Sequence, residues 1–411
     1  MMSKDRAKWT TCQFSEVCNV NPRYKLELNK EYNYVEMAAV SESSPYLKYV
    51  QQKKYTGQSS SKFKKGDVLF ARITPCTQNG KTAHVTDLES EYGFGSTEFI
   101  VLSPKEGMLL SEYLYYFVKD NKIRNRAIAR MVGTTGRQRV PNDFFREELE
   151  IELPPIQEQR KIVTILSSID EVIEKTESII EQTEEVKKGL IQQLFTKGIG
   201  HMKFKNTNIG EIPEEWEVVA LGDIAEFING RGFKPHEWSD SGLPIIRIQN
   251  LNGGQEFNYY EGEFNPKILI EPDTLLFAWS GSRGTSFGPH IWKGVTGVLN
   301  YHTWKVVNNK RVIKEFLYYS LRHITTKIEN DSHGASALVH MQKSAMENYK
   351  IALPSLAEQE KLATVLLTLD NKLVNEKTKL DQLQFLKKGL MQSLLIGKIR
   401  VKIDGDEVIQ A

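Results

Sequence analysis

Residues 153–170 read LPPIQEQRKIVTILSSID, and residues 353–370 read LPSLAEQEKLATVLLTLD. The likeness runs on without a gap to KKGLIQ at Lys187–Gln192 and KKGLMQ at Lys387–Gln392. Each stretch carries an apolar stripe at close to a 3.5-residue period. In the first it is Ile162, Ile165, Leu166, Ile169, Val172, Ile173, Ile179, Ile180, Val186, Leu190 and Leu194. In the second it is Leu362, Val365, Leu366, Leu369, Leu373, Leu380, Leu383, Leu386, Leu390 and Leu394. That spacing predicts two long helices, over 155–198 and 355–398, each with a seam for a partner helix. Pro155 and Pro354 stand near the starts, where a missing N–H costs little. Gly189 and Gly389 are expected to interrupt the helices near their ends. A helix of this size spans about 60 Å. The nearest partner for each stripe is the other copy, paired antiparallel.

Working outward, each helix follows a mixed block of strand-like runs and polar loops. The blocks share an order of parts: Leu69-Phe-Ala71 answers Leu276-Phe-Ala278, Glu112-Tyr-Leu-Tyr-Tyr116 answers Glu315-Phe-Leu-Tyr-Tyr319, and Ile151-Glu-Leu-Pro154 answers Ile351-Ala-Leu-Pro354. The expected fold is α+β, with two mixed α/β domains separated by two long helices that form an intramolecular antiparallel coiled coil, a pseudo-two-fold repeat. The expected divisions are 1–152 (first domain), 153–200 (central helix), 201–352 (second domain) and 353–411 (C-terminal helix and tail). Similar helices with diverged domains suit one scaffold carrying two specificities.

Composition bounds the function. With 411 residues, 40% hydrophobic and 26% charged, the chain has material for two or three real cores. A net charge of +2 argues for no nucleic-acid partner by itself, so local clusters must carry that case. The three cysteines, Cys12, Cys18 and Cys76, form no ligand spacing and suit a reducing compartment. No signal-like N-terminus or membrane-length apolar run is present, and a cytoplasmic location is expected.

Residues 47–66 and 121–142 are basic and hold no acid. Lys and Arg neutralise phosphates, while Arg, Gln and Thr reach base edges. The first block's candidates for DNA contact are Lys48, Lys53, Lys54, Lys62, Arg72, Thr74, Arg130, Thr134, Thr135, Arg137, Gln138 and Arg139. The second block is less basic, and its candidates are Arg247, Gln249, Asn250, Ser280, Ser282, Arg283, Gln342 and Lys343. Ordinary solvated faces and flexible turns compete with this reading. Enzyme motifs fail on inspection. Pro75 spoils a phosphate loop at Pro75–Thr82, Arg23 spoils an Asn-Pro-Pro-Tyr motif at Asn21–Tyr24, and Gly230–Pro235 lacks a third glycine. No catalytic residue and no metal site is expected.

The helix openings at Leu153 and Leu353, the Lys-Lys-Gly-Leu-x-Gln closings, and Ile209-Gly-Glu-Ile-Pro-Glu-Glu-Trp216 before Leu221-Gly-Asp223 together resemble the specificity (S) subunits of Type I restriction-modification systems. The resemblance covers essentially the whole chain. It implies that each mixed block is a target recognition domain for one half of a bipartite DNA site. The coil would set the spacer, and the chain would do no chemistry itself. It would recruit two modification subunits that use S-adenosylmethionine, and restriction subunits that use ATP and Mg. Glu158, Gln159, Lys187, Lys188, Glu358, Gln359, Lys387 and Lys388 are the positions expected to touch those partners or fix the helix ends. Two alternatives stay open: a coiled-coil assembly scaffold without base reading, and a free-standing DNA-modifying enzyme.

Overall fold

The computed structural model describes residues 9–86, 88–134, 136–331 and 338–401. It divides into two compact units, residues 1–178 with 377–411, and residues 179–376. Both long helices, Ile156–Lys197 and Leu356–Leu394, are therefore shared, half to each unit. No helix among the described residues is long and apolar enough to cross a membrane.

Each unit holds two four-stranded sheets with the same order of parts. In the first unit one sheet runs Cys18–Val20, Phe99–Pro104, Val68–Ala71, Thr82–His84, all antiparallel. The other runs Gln51–Lys54, Glu31–Val35, Tyr92–Gly95, Ser61–Lys64, with its two middle strands parallel. The second unit repeats this with Ala225–Asn229, Thr303–Asn308, Leu275–Ala278, Gly288–Ile291 and with Tyr259–Tyr260, Leu243–Ile246, Gly297–Leu299, Leu269–Ile270. The Leu-Phe-Ala runs seen in the sequence are the matching central strands. Both are buried along their whole length, because each lies between covered faces. One helix packs on the fully antiparallel sheet of each unit, Ser111–Lys119 in the first and Lys314–Asp331 in the second.

The helix halves meet antiparallel inside each unit. Ile162 and Leu166 share the first core with Met391, Leu394 and Leu395. Leu362, Ala363 and Leu366 share the second core with Leu194. The seam differs from the apolar stripe in an instructive way. Val172, Val186, Val365 and Leu386 are exposed, while Asp170, Thr176, Thr183 and Lys187 are buried. The inward line runs in steps of three, four and seven through those polar residues, and each finds a bond. Thr176 and Thr183 donate to the carbonyls four residues back, at 2.8 and 2.6 Å. Asp170 pairs with Lys387, and Asp370 with Lys187. Contrary to expectation, Gly189 and Gly389 do not interrupt the helices. The second helix stops at Leu394, short of 398, and Gly397 at φ +67° supplies the left-handed turn behind it.

Candidate nucleic-acid interface

The paired Glu-Gln motifs explain how each domain is fixed to its helix. Gln159 is fully buried; its amide donates to the Met108 and Pro154 carbonyls and accepts from the Leu110 N–H, each at 2.9 Å. Gln359 makes the same three bonds, to Arg311, Pro354 and Ile313, each at 3.0 Å. Glu158 accepts from the Trp9 indole at 3.0 Å and from the Arg400 guanidinium at 2.8 Å. Burial alone would raise its pKa, but Arg400 and Trp9 together hold the carboxyl below the ordinary range. Glu358 accepts from the Trp216 indole at 2.9 Å and bonds His201 at 2.9 Å. Lys187 and Lys387 are spent on Asp370 and Asp170. In these six residues the polar atoms named are turned to their own chain, as a role in fixing the helix ends requires. Lys188 and Lys388 stay exposed.

In the first unit, Lys53 and Lys54 project from the edge strand Gln51–Lys54, and Lys48 lies exposed just before it. The Lys53 ammonium sits 3.7 Å from the centre of the Tyr34 ring, and that of Lys62 is 5.1 Å from Tyr55. Arg130 is ion-paired with Glu148 at 2.7 Å. The Arg137 N–H donates to the Thr134 carbonyl at 2.9 Å. Arg137 is exposed and has no side-chain partner among the described residues; Thr135 lies outside them. Thr74 and Gln138 are joined by two bonds, one through each backbone N–H, at 3.0 and 3.1 Å. The Arg139 fork is held by Glu98, with Nε at 2.9 Å and Nη2 at 2.6 Å from its carboxylate oxygens.

In the second unit the Arg247 guanidinium lies 4.7 Å over the Trp238 ring. Asn250 is turned to its own chain. It is buried, its Oδ1 caps the Arg247 N–H at 3.0 Å, and its Nδ2 donates to Gly254 and Glu256. Its job is to shape the 247–256 loop. Gln249, Ser282, Arg283 and Gln342 are exposed, Ser280 is half-buried, and Lys343 is paired with Glu347 at 3.5 Å. Ser332–Ser336 lie outside the described residues.

One junction is common to both units. The Arg72 N–H donates to the Glu98 carbonyl at 2.9 Å, and the Val140 N–H to the Arg72 carbonyl at 2.8 Å. The Trp279 N–H donates to the His302 carbonyl at 3.2 Å, and the Met341 N–H to the Trp279 carbonyl at 2.9 Å. Ile73 bridges Arg139 as Ser280 pairs with His340. So Arg72, Glu98 and Arg139 correspond to Trp279, His302 and His340. Of these six, sequence reasoning found only the two arginines. The others stand beside the shared Leu-Phe-Ala strands or on loops that no sequence period marks.

A duplicated domain with basic loops on a duplicated scaffold matches the model of the type I restriction modification DNA specificity domain, over residues 6–185 and again over 213–384. The chain belongs to that DNA specificity family. Within the family it is similar to the putative type I restriction enzyme MjaX specificity subunit of Methanocaldococcus jannaschii, at 32% identity over 375 residues, 87% of this chain and 84% of the relative. The MjaVIII specificity subunit of the same organism is 30% identical over 328 residues, 75% of each chain. Two solved structures share the fold. The type I S subunit from M. genitalium has a TM-score of 0.57 at 19% identity, covering 96% of this chain and 98% of that one. A chain solved in work on assembly of a type I R-M system has a TM-score of 0.59 at 17% identity, with 95% and 98% covered.

Proposed function

We propose that this specificity-family chain is the non-catalytic DNA sequence-recognition subunit of a Type I restriction-modification complex. Each unit reads one half of a bipartite site, and the chain recruits modification subunits, with restriction subunits joining where the system has them. The observation that carries the reading is that the DNA specificity domain occurs twice, each copy with the same backbone junction but different side chains on it. Duplicated frames with divergent surfaces are what two independent half-site readers need. Methyl transfer, with its S-adenosylmethionine, and ATP- and Mg-dependent cleavage are assigned to the partner subunits in the cytoplasm. Exposed Lys188 and Lys388 are the motif residues left open to those partners.

The test is selection of bound duplexes from a randomised library by the chain co-purified with its modification subunits. A split motif with an unread gap is the expected result. Sequence-indifferent binding would favour the assembly scaffold, and methyl transfer or cleavage by this chain alone would favour a free-standing enzyme.

A further inference from the structure

The shared junction goes further than the proposed function on which it rests. Around it, the two units have the same strands, the same buried Leu-Phe-Ala run and equivalent backbone bonds. What differs is the chemistry seated there. The first unit places two guanidinium groups and a carboxylate; the second places an indole and two imidazoles. Trp279 contacts both histidines, with ring centres 5.4 Å from His302 and 4.8 Å from His340. A frame held constant while its side chains change from ionic to aromatic is the arrangement expected of specificity determinants, not of core packing.

We propose that Arg72, Glu98 and Arg139 determine the bases accepted in one half-site, and that Trp279, His302 and His340 determine those accepted in the other. Glu98 occupies Nε and Nη2 of Arg139, which fixes the guanidinium plane, and Nη1 donates to the Arg137 carbonyl at 3.4 Å, leaving one of its two N–H groups as the outward donor. A single Arg rotamer aimed by a carboxylate presents its donor at little further entropic cost, and purine acceptors in the major groove are its natural partners. Arg72 Nε and His302 Nδ1 are buried with no hydrogen-bond partner among the described residues, so each trio holds one polar atom that its own unit does not satisfy. The His340 imidazole offers one donor and one acceptor, beside an apolar ring face suited to a thymine methyl. The trios thus present different edges from the same scaffold.

The competing explanation is that the trios only staple loops together. Methylation mapping of the intact complex in cells separates the two. Arg139→Gln removes the fork at a partly exposed position. It is expected to cut discrimination at a base of one half-site by about 10- to 100-fold, the scale of one lost charge-assisted hydrogen bond, leaving the other half and the gap unchanged. His340→Gln is expected to relax the other half alone. Arg139→Lys keeps the charge without the fork and should give the same relaxation if the glutamine variant fails to accumulate. Assembled variants that keep wild-type base preference, or lose methylation evenly at every site, would overturn the inference. A wild-type complex with no split motif would instead defeat the proposed function, and this inference with it.

Discussion

Lys387, near the end of the second long helix, is ion-paired with Asp170 on the first, and 200 positions away the same two residue types meet again as Lys187 and Asp370. Each aspartate also accepts from a tyrosine of its own domain at 2.7 Å, Tyr116 for Asp170 and Tyr319 for Asp370. Burial first, then the neighbouring carboxylate, drives both tyrosine pKa values well up, so the hydroxyls stay protonated donors. One carboxylate thereby ties domain, departing helix and arriving helix together, and the antiparallel register is the one that brings all three into reach.

Asp170→Ala leaves Lys387 buried without its counter-charge, which should cost about 3–5 kcal/mol in urea unfolding of the intact chain. Asp170→Leu combined with Lys387→Met should recover most of that loss, because a buried pair and an apolar replacement are close in energy. A single-variant loss below about 1 kcal/mol would place the pair among weak surface contacts instead.

Lys119 provides a pH test in the same unit. Its ammonium donates to the Gly80 and Glu42 carbonyls at 2.6 and 2.7 Å. Burial first, then the positive charge of Lys387 and Arg124, lowers its pKa to about 7. In the unfolded chain a lysine titrates near 10.4. Between those values the unfolded chain binds more protons, so this group makes stability rise with pH from about 7 to about 10. Thermal melts of wild type against Lys119→Met should show wild type gaining on the variant across that window. A constant difference would contradict the assignment.

The basic loop makes a graded prediction. Arg137 carries a guanidinium with no partner among the described residues, whereas that of Arg130 already faces Glu148. In titrations of the assembled complex with its DNA, Arg137→Ala should weaken binding and reduce the salt slope by about one, as for one lost phosphate contact. Arg130→Ala should change the slope less. Equal effects would mean that the Glu148 pair opens on DNA.

The architecture was largely legible in the sequence, because a 200-residue repeat carrying a 3.5-residue stripe leaves few ways to bury two helices. The seam was legible only in part. Asp170, Thr176, Thr183 and Lys187 read as surface residues until their partners from distant segments are known, so an apolar count puts Val172 and Val186 in their place. The interface was harder still. Charge runs point to lysines and arginines, but they say nothing of which are already neutralised, as Arg139 is by Glu98. Nor do they reveal that Trp279, His302 and His340 converge from segments far apart in the chain. Asn250 shows the same limit, since an exposed-looking amide in a polar loop turns out to be the loop's internal staple.

Exchange of residues 206–350 for the corresponding domain of another family member should alter one half-site and leave the other unchanged. Methylation footprints that change in both halves would show that the two domains do not read independently.

The most direct test of the central claim is methylation mapping across the genome of cells carrying this chain with its modification subunits, beside cells from which the gene is deleted. A split adenine-methylated motif present in the first and absent in the second is the predicted result. An identical methylome in both, with the modification subunits expressed, would contradict the assignment of sequence recognition to this chain.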